Sequence, residues 1–366
     1  LMPLARSSNC EDEKLNLDKS IILDKFLNDI KSFNDLEDSK NEIDFNFEDF
    51  ESKALNSSVS LILNRNRREY NVSFDFDEKN NPVLKQGAYG FERATNFLVI
   101  SDVHTIAKTE QELSTMNLSL YGGNARREKV LNKHRNKIAL RDKMISYIQD
   151  DSQDIRAVIM PGDCAGGYGK QSETEAFKYV WYNPLRRALL EVGGRPFLGI
   201  GNHDTYWASI FEPKPTKMLR FIKNTYGDYN YSYNIGSMHF INLSLYPCLK
   251  KEMGVDSSLF FLMNDLRNNV NRTRPIVIFF HYPTQGHMSD WWSPMEKNIF
   301  YQIIKSYNVV LIACGHSHKS AKYEFGDKKI PVILAAGREF ALVKWDPANP
   351  KAVDIKFVNA AGREVN

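Results

Sequence analysis

An α/β architecture, with short buried strands separated by amphipathic helices, is what this sequence predicts. Three observations carry the prediction. Mostly apolar runs of four to six residues, rich in β-branched side chains, recur along the chain, as in strands buried on both faces. Segments with apolar residues at helical spacing lie between them. Five of the runs end in polar residues of ligand-binding type, and in layered α/β proteins sites collect outside the carboxyl ends of strands.

The first run, Phe97-Leu-Val-Ile100, leads through Ser101 into Asp102-Val-His104. On extended chain, residues two apart point to one side, so a carboxylate and an imidazole are expected to project together from the strand mouth. Ala157-Val-Ile-Met160 leads into Pro-Gly-Asp163, and Pro196–Ile200 into Gly-Asn202-His203-Asp204. Pro275–Phe280 leads into His281-Tyr282-Pro283, and Val309–Cys314 into Gly-His316-Ser-His318. Helical spacing marks 173–191, through Phe177, Val180, Trp181, Leu185 and Leu189, and 295–306, through Ile299, Ile303 and Ile304. Tyr231–Leu245 reads as two strands around Gly236-Ser237. The tail offers three more, Ile330–Ala335, Phe340–Trp345 and Val353–Val358.

Residues 1–90 read as an acidic, mainly helical N-terminal extension to a catalytic domain at 91–366. Residues 1–10 read as disordered, and Asp18–Phe33 as an amphipathic helix on Ile22, Leu23, Phe26, Leu27 and Ile30. Ile43–Phe50 is either an extended arm or a helix start. Leu55–Leu63 is a candidate helix, followed by a strand in which Tyr70, Val72, Phe74 and Phe76 alternate, then turn residues at Lys79–Pro82. A hairpin here is expected to join the main sheet. Within the catalytic domain, 105–150 is an insertion carrying a strongly basic helix whose expected apolar face is Val130, Ile138, Ile145 and Ile148.

A chain of 366 residues can bury a full-sized core. From Glu11 to Glu51 there are 14 acidic and 5 basic residues, about −9, so a net charge of +3 leaves about +12 for the rest. A basic catalytic part suits an anionic substrate. Nucleic acid is compatible with that charge but nothing indicates it. No apolar run approaches the ~20 residues of a membrane span, and the first ten residues carry no signal-peptide core. Cys10, Cys164, Cys248 and Cys314 lack metal-ribbon or disulfide-framework spacing, so reduced thiols in the cytoplasm or another reducing compartment are expected.

The strand ends supply two carboxylates (Asp102, Asp163), an amide (Asn202) and imidazoles (His104, His203, His281, His316, His318). This N/O set without thiolate suits two divalent ions, Mn²⁺ first, with Fe or Zn as alternatives. The series Asp-x-His, Gly-Asp, Gly-Asn-His-Asp, His, Gly-His-x-His, from Phe97 to Gly337, resembles the calcineurin-like metallophosphoesterase superfamily. The resemblance implies a four-layer αββα sandwich with two central mixed β-sheets and a dinuclear centre. It implies one ion on Asp102, His104 and His318, a second on Asn202, His281 and His316, Asp163 bridging them, and His203 facing substrate with Asp204 orienting it. Two metals would clamp a phosphoryl group and generate hydroxide at neutral pH, and His203 would serve the leaving group as general acid.

Two departures from related classes are visible. Ser/Thr phosphoprotein phosphatases carry Gly-Asp-x-x-Asp-Arg-Gly, whereas this chain reads Gly162-Asp-Cys-Ala-Gly-Gly-Tyr168, so that class's phosphate-clamping arginine is missing. Arg126 or Arg127 is the candidate replacement, and Tyr168 and Tyr282 are candidate phosphate contacts. Purple acid phosphatases place a tyrosine ligand where Gly166 stands. Trp291 and Trp292, with His287, follow the His281 strand, where they either stack a substrate group or pack the rim. The expected activity is hydrolysis of a phosphorylated substrate, protein or small molecule, as a phosphomonoesterase (phosphatase). A phosphodiesterase acting on nucleotides or cyclic nucleotides is the alternative, and a non-catalytic scaffold a third.

Overall fold

The structure is a computed structural model that describes residues 58–65, 68–76, 82–84, 96–116, 126–205, 216–249, 257–270, 272–286, 289–346, 348–349 and 351–365. The chain divides into two compact units, Leu1–Ser58 and Val59–Asn366. The expected Asp18–Phe33 helix, the Ile43–Phe50 arm, the turn at 79–81, Cys10 and His287 lie outside the described residues.

Two six-stranded mixed sheets form the centre, as expected. In the first, β4 (Asn96–Val99), β5 (Ile155–Met160) and β6 (Arg195–Leu198) run parallel. Antiparallel β13 (Glu339–Trp345), β14 (Val353–Asn359) and the short β15 (Glu364–Val365) extend it beyond β4. In the second, β8 (Met238–Leu243), β9 (Ile276–Phe279), β10 (Val309–Cys314) and β12 (Ile330–Leu334) are parallel. Its edges are closed by antiparallel β7 (Asn230–Ile235) and β11 (Ala321–Phe325).

The period of two explains why β9 is apolar throughout, and β4 and β5 are apolar beyond Asn96 and Arg156. Phe97, Val99, Ala157, Ile159 and Phe197 face the second sheet and pack on Phe240, Val277, Phe279, Leu311 and Ala313. Phe240 stacks on Phe197 at 5.2 Å and meets Phe97 edge-on at 5.5 Å. Leu98, Ile100, Val158 and Met160 face the other way, onto helices α2 (Arg127–Gln149), α3 (Gln171–Phe177), α4 (Asn183–Glu191) and α6 (Lys217–Tyr226). The outer helices of the second sheet are α7 (Ser258–Asn269) and α8 (Pro294–Ile304), the latter burying Ile299, Phe300, Ile303 and Ile304. A short α1 (Glu110–Thr115) and a single turn, α5 (Asn202–Thr205), complete the α-helices of the described residues.

Three expectations need correction. From Ser58 the expected Leu55–Leu63 helix is instead strand β1 (Ser58–Arg65), because Ser58-Val59-Ser60-Leu61 alternates and the β-branched Val59 and Ile62 favour extended chain. It pairs with β2 (Arg68–Phe76), which pairs with β3 (Pro82–Leu84), and these form their own three-stranded sheet rather than joining a main one. On α2 the buried residues are His134, Leu140, Met144 and Ile148, while Ile138 and Ile145 only flank the core. The i, i+4, i+8 series at 140, 144 and 148 sets the buried stripe, which shares Ile148 with the expected face and is rotated from the rest of it.

The 173–191 helix is present but contains a π-turn, Lys178–Tyr182. Pro184 lacks the amide that would reach Val180, and the Asn183 amide bonds back to Lys178 instead. The freed Val180 carbonyl accepts from the Arg141 guanidinium of α2 at 2.9 Å.

Candidate metal centre

The carboxyl ends of β4, β5 and β6 in one sheet meet those of β9 and β10 in the other. There the chain leaves extended geometry. Asp102 (φ 56°), His104 (39°), Asp163 (52°), His316 (69°) and His318 (55°) are all left-handed, and they make up five of the eight non-glycine residues with positive φ among those described. Such backbones cost of the order of 1–3 kcal/mol each and persist where their surroundings over-determine them. Asp102 and His104 do point into one site, but on left-handed turns rather than through strand alternation.

Hydrogen bonds hold these turns. The Asp102 amide donates to the Gly162 carbonyl at 3.2 Å and the His104 amide to the Asp163 carbonyl at 3.0 Å. Across the sheets, the His316 amide donates to both Asp102 carboxylate oxygens, at 3.1 and 2.9 Å. The His203 amide donates to Asp163 Oδ1 at 2.9 Å.

Two groups of side chains converge, and they share one carboxylate. Asp102, His104, Asp163 and His318 form the first, and Asp163, His281 and His316 the second. Asp163 Oδ2 lies 3.5 Å from His104 Nε2 and 3.4 Å from His281 Nε2, between the two groups. His318 Nε2 is 3.2 Å from His104 Nε2 and 3.4 Å from Asp102 Oδ1. Asn202 Oδ1 joins the second group at 3.1 Å from His281 Nε2. His203 stands edge-on to His104, ring centres 4.6 Å apart, and lines the cavity that opens beside the first group.

The electrostatics suit cations. Burial pushes His316 down to about 3 and holds His104 and His318 below the usual histidine range, so these imidazoles present bare lone pairs. Against burial, Asp163 raises His281 to about 9. Asp163 Oδ2 and His316 Nε2 are buried without a hydrogen-bond partner. Such orphans cost about 1–3 kcal/mol each, and divalent ions bound among these donors would satisfy them. The residues present therefore fit two metals.

Residues 95–320 match the model of the calcineurin-like phosphoesterases, more than half of the chain. The chain belongs to that family. No curated protein matches it. Among solved structures, a dimetal phosphatase from Danio rerio is 13% identical, with a TM-score of 0.43 over 68% of this chain and 95% of that one. GAP50, the anchor in the inner membrane complex of Plasmodium, is 13% identical, with a TM-score of 0.48 over 75% of this chain and 87% of that one. A putative 5′-nucleotidase from Staphylococcus aureus is 14% identical, with a TM-score of 0.40 over 72% of this chain and 53% of that one.

The other predicted site residues are distributed differently. Asp204 is fully buried and turned to backbone amides. Its carboxylate accepts from the amides of Ala165 (2.8 Å), Gly201 (2.9 Å) and Cys164 (3.3 Å), which ties the Asp163 loop to the Asn202 turn. The Arg127 guanidinium donates to the carbonyls of Leu113, Ser114 and Met116 and so caps the C-terminal end of α1. Arg126 is exposed at the N-terminal end of α2, and neither arginine lines the cavity. The Tyr168 amide donates to Glu173 at the start of α3, and its ring lies under Lys170.

Tyr282 does reach the centre. Its ring is 4.7 Å from that of His316 and stacks on Trp291 at 5.3 Å. Trp292 is core, with its Nε1 donating to the Pro283 carbonyl, whereas Trp291 is exposed. Lys129, Lys133 and Lys137, whose four-residue spacing is visible in the sequence, also line the cavity, and so does Arg338, which no local signal marks.

Glycine precedes three of these motifs because its backbone lies against a neighbouring loop with no room for a Cβ. A Cβ on Gly201 would meet Asp163 Oδ1 at 2.0 Å, and one on Gly315 would meet the Ser101 hydroxyl at 2.1 Å. Gly201→Ala is expected to cost about 1–3 kcal/mol through overpacking, read as a lower urea midpoint. An unchanged midpoint would show that the Asp163 loop yields without strain.

Proposed function

We propose that the protein is a dinuclear metal-dependent phosphomonoesterase. The observation that carries this is the shared carboxylate, Asp163, set between two metal-capable groups. In this reading Asp102, His104 and His318 hold one ion, Asn202, His281 and His316 the other, and Asp163 belongs to both. Bound there, two divalent ions supply Lewis acidity, neutralising phosphoryl oxygens and lowering the pKa of water so that it can attack phosphorus at neutral pH.

The remaining work falls to the chain itself. His203 Nδ1 is buried, so Nε2 is the nitrogen that meets substrate, and its proton goes to the leaving oxygen as the P–O bond breaks. The Asp163 carboxylate fixes the backbone of His203, and Asp204 fixes both loops. The cavity wall carries Lys129, Lys133 and Arg338, and this positive charge favours a monoester dianion over a diester monoanion.

The test is turnover of p-nitrophenyl phosphate against bis-p-nitrophenyl phosphate with Mn²⁺ supplied. Higher kcat/KM on the monoester is expected. A strong preference for the diester would assign the site to phosphodiesters, and failure on both with metal bound would leave a scaffold.

A further inference from the structure

The cavity beside His104, His203 and His318 has a volume of about 840 Å³, within the range that holds a whole small-molecule ligand. Three of its basic residues come from one face of α2. Lys129, Lys133 and Lys137 follow at i, i+4 and i+8, with Asn132 and Asn136 on the same face. The fourth, Arg338, comes from the turn between β12 and β13.

The Lys137 end of this stripe is fixed at the centre, where its ammonium donates to the His104 carbonyl at 2.9 Å. At a rise of 1.5 Å per residue, Lys133 and Lys129 stand about 6 and 12 Å further along the helix. The stripe therefore outreaches a single phosphoryl group held at the histidines.

Two other cations of α2 are ion-paired. Arg135 is ion-paired to Glu110 and Glu128, and Arg141 to Asp142. Among the described residues, Lys129, Lys133 and Arg338 have no such partner. Unpaired cations around a concave wall concentrate positive potential where an anion can enter. With Arg135 and Arg141 so paired, α2 offers less of the open track of free charge that a nucleic-acid strand would need.

We propose that this cavity is a subsite for a second phosphate group on the substrate, held by Lys129, Lys133 and Arg338 while the first phosphate is hydrolysed at the metal centre. The proposal rests on the phosphoesterase function above and narrows its substrate class to small bisphosphorylated molecules.

Two matched esters test it, 4-methylphenyl phosphate and 4-(phosphonomethyl)phenyl phosphate, which share a leaving group of similar basicity and differ by one dianion. At low ionic strength the second is expected to show about tenfold or greater kcat/KM, equivalent to ~1.4 kcal/mol. The ratio should fall toward one as salt is raised. It should also fall toward one in the Lys129→Gln/Lys133→Gln double variant, and remain at the wild-type value in Arg135→Gln. A wild-type ratio near one, or a ratio unaffected by the double variant, overturns the subsite. Turnover of neither ester would count against the phosphoesterase reading instead, and calorimetric binding of the two esters then decides the subsite by itself, equal affinities overturning it. Tighter binding of a single-stranded oligonucleotide than of the bis-anionic ester would overturn it in favour of nucleic acid.

Discussion

Asp163→Ala is expected to strip the centre of both metals and to abolish turnover. Changes to residues that merely support a ligand cost about 10–100-fold in metal affinity, so loss of a carboxylate shared by two sites should cost more than ~100-fold at each. The variant also removes the acceptor of the His203 amide, so the Asn202 turn loses a tether. Metal content after dialysis and activity at saturating Mn²⁺ check this. Loss of one metal with the second retained would mean that Asp163 serves a single ion. Asp163→Asn separates charge from shape, since the amide keeps an oxygen for His203. It should bind metal more weakly than wild type but unfold at a similar urea concentration.

His203→Ala should behave in the opposite way. Turnover should fall by about 10²–10⁴-fold, the usual worth of a general acid, with two metals still bound. The loss should be smaller for p-nitrophenyl phosphate, whose leaving group needs little protonation, than for an alkyl phosphate. A merely structural role would lower both alike. If His203→Ala released a metal, this histidine would be a ligand and the general-acid role would pass elsewhere. Because the ring stands edge-on to His104, the metal measurement is the one that separates the two roles.

The strand ends were legible because their signals are local. An apolar run sets a buried strand, and a polar group one to four residues past its end must emerge at the sheet's rim. That placed Asp102, His104, Asp163, Asn202, His281, His316 and His318 before any contact was known. The reason for the Asp102 and His104 geometry was not legible, since strand alternation cannot foresee a chain that turns left-handed directly beyond the strand. Helix α2 shows the limit from the other side. Its basic character was plain, yet its first arginines were favoured over the lysines that line the cavity. Which face of a helix meets a site depends on its packing, and here Leu140, Met144 and Ile148 set the rotation against the first sheet.

Asp204 shows the same division. From its position beside His203 it read as an orienting carboxylate, but folding brings the amides of Cys164 and Ala165 to it from forty residues away. By itself the sequence determined the α/β class, the donor chemistry and the five strand ends that carry it. Those depend on residue type and on periods of two and 3.6, which any local stretch displays. Tertiary structure alone decided that Asp163 stands between the two groups, that Arg127 caps a helix, and that unpaired lysines face the cavity. Those are distances between residues far apart in the chain, and they are set by the order of strands and the packing of two sheets.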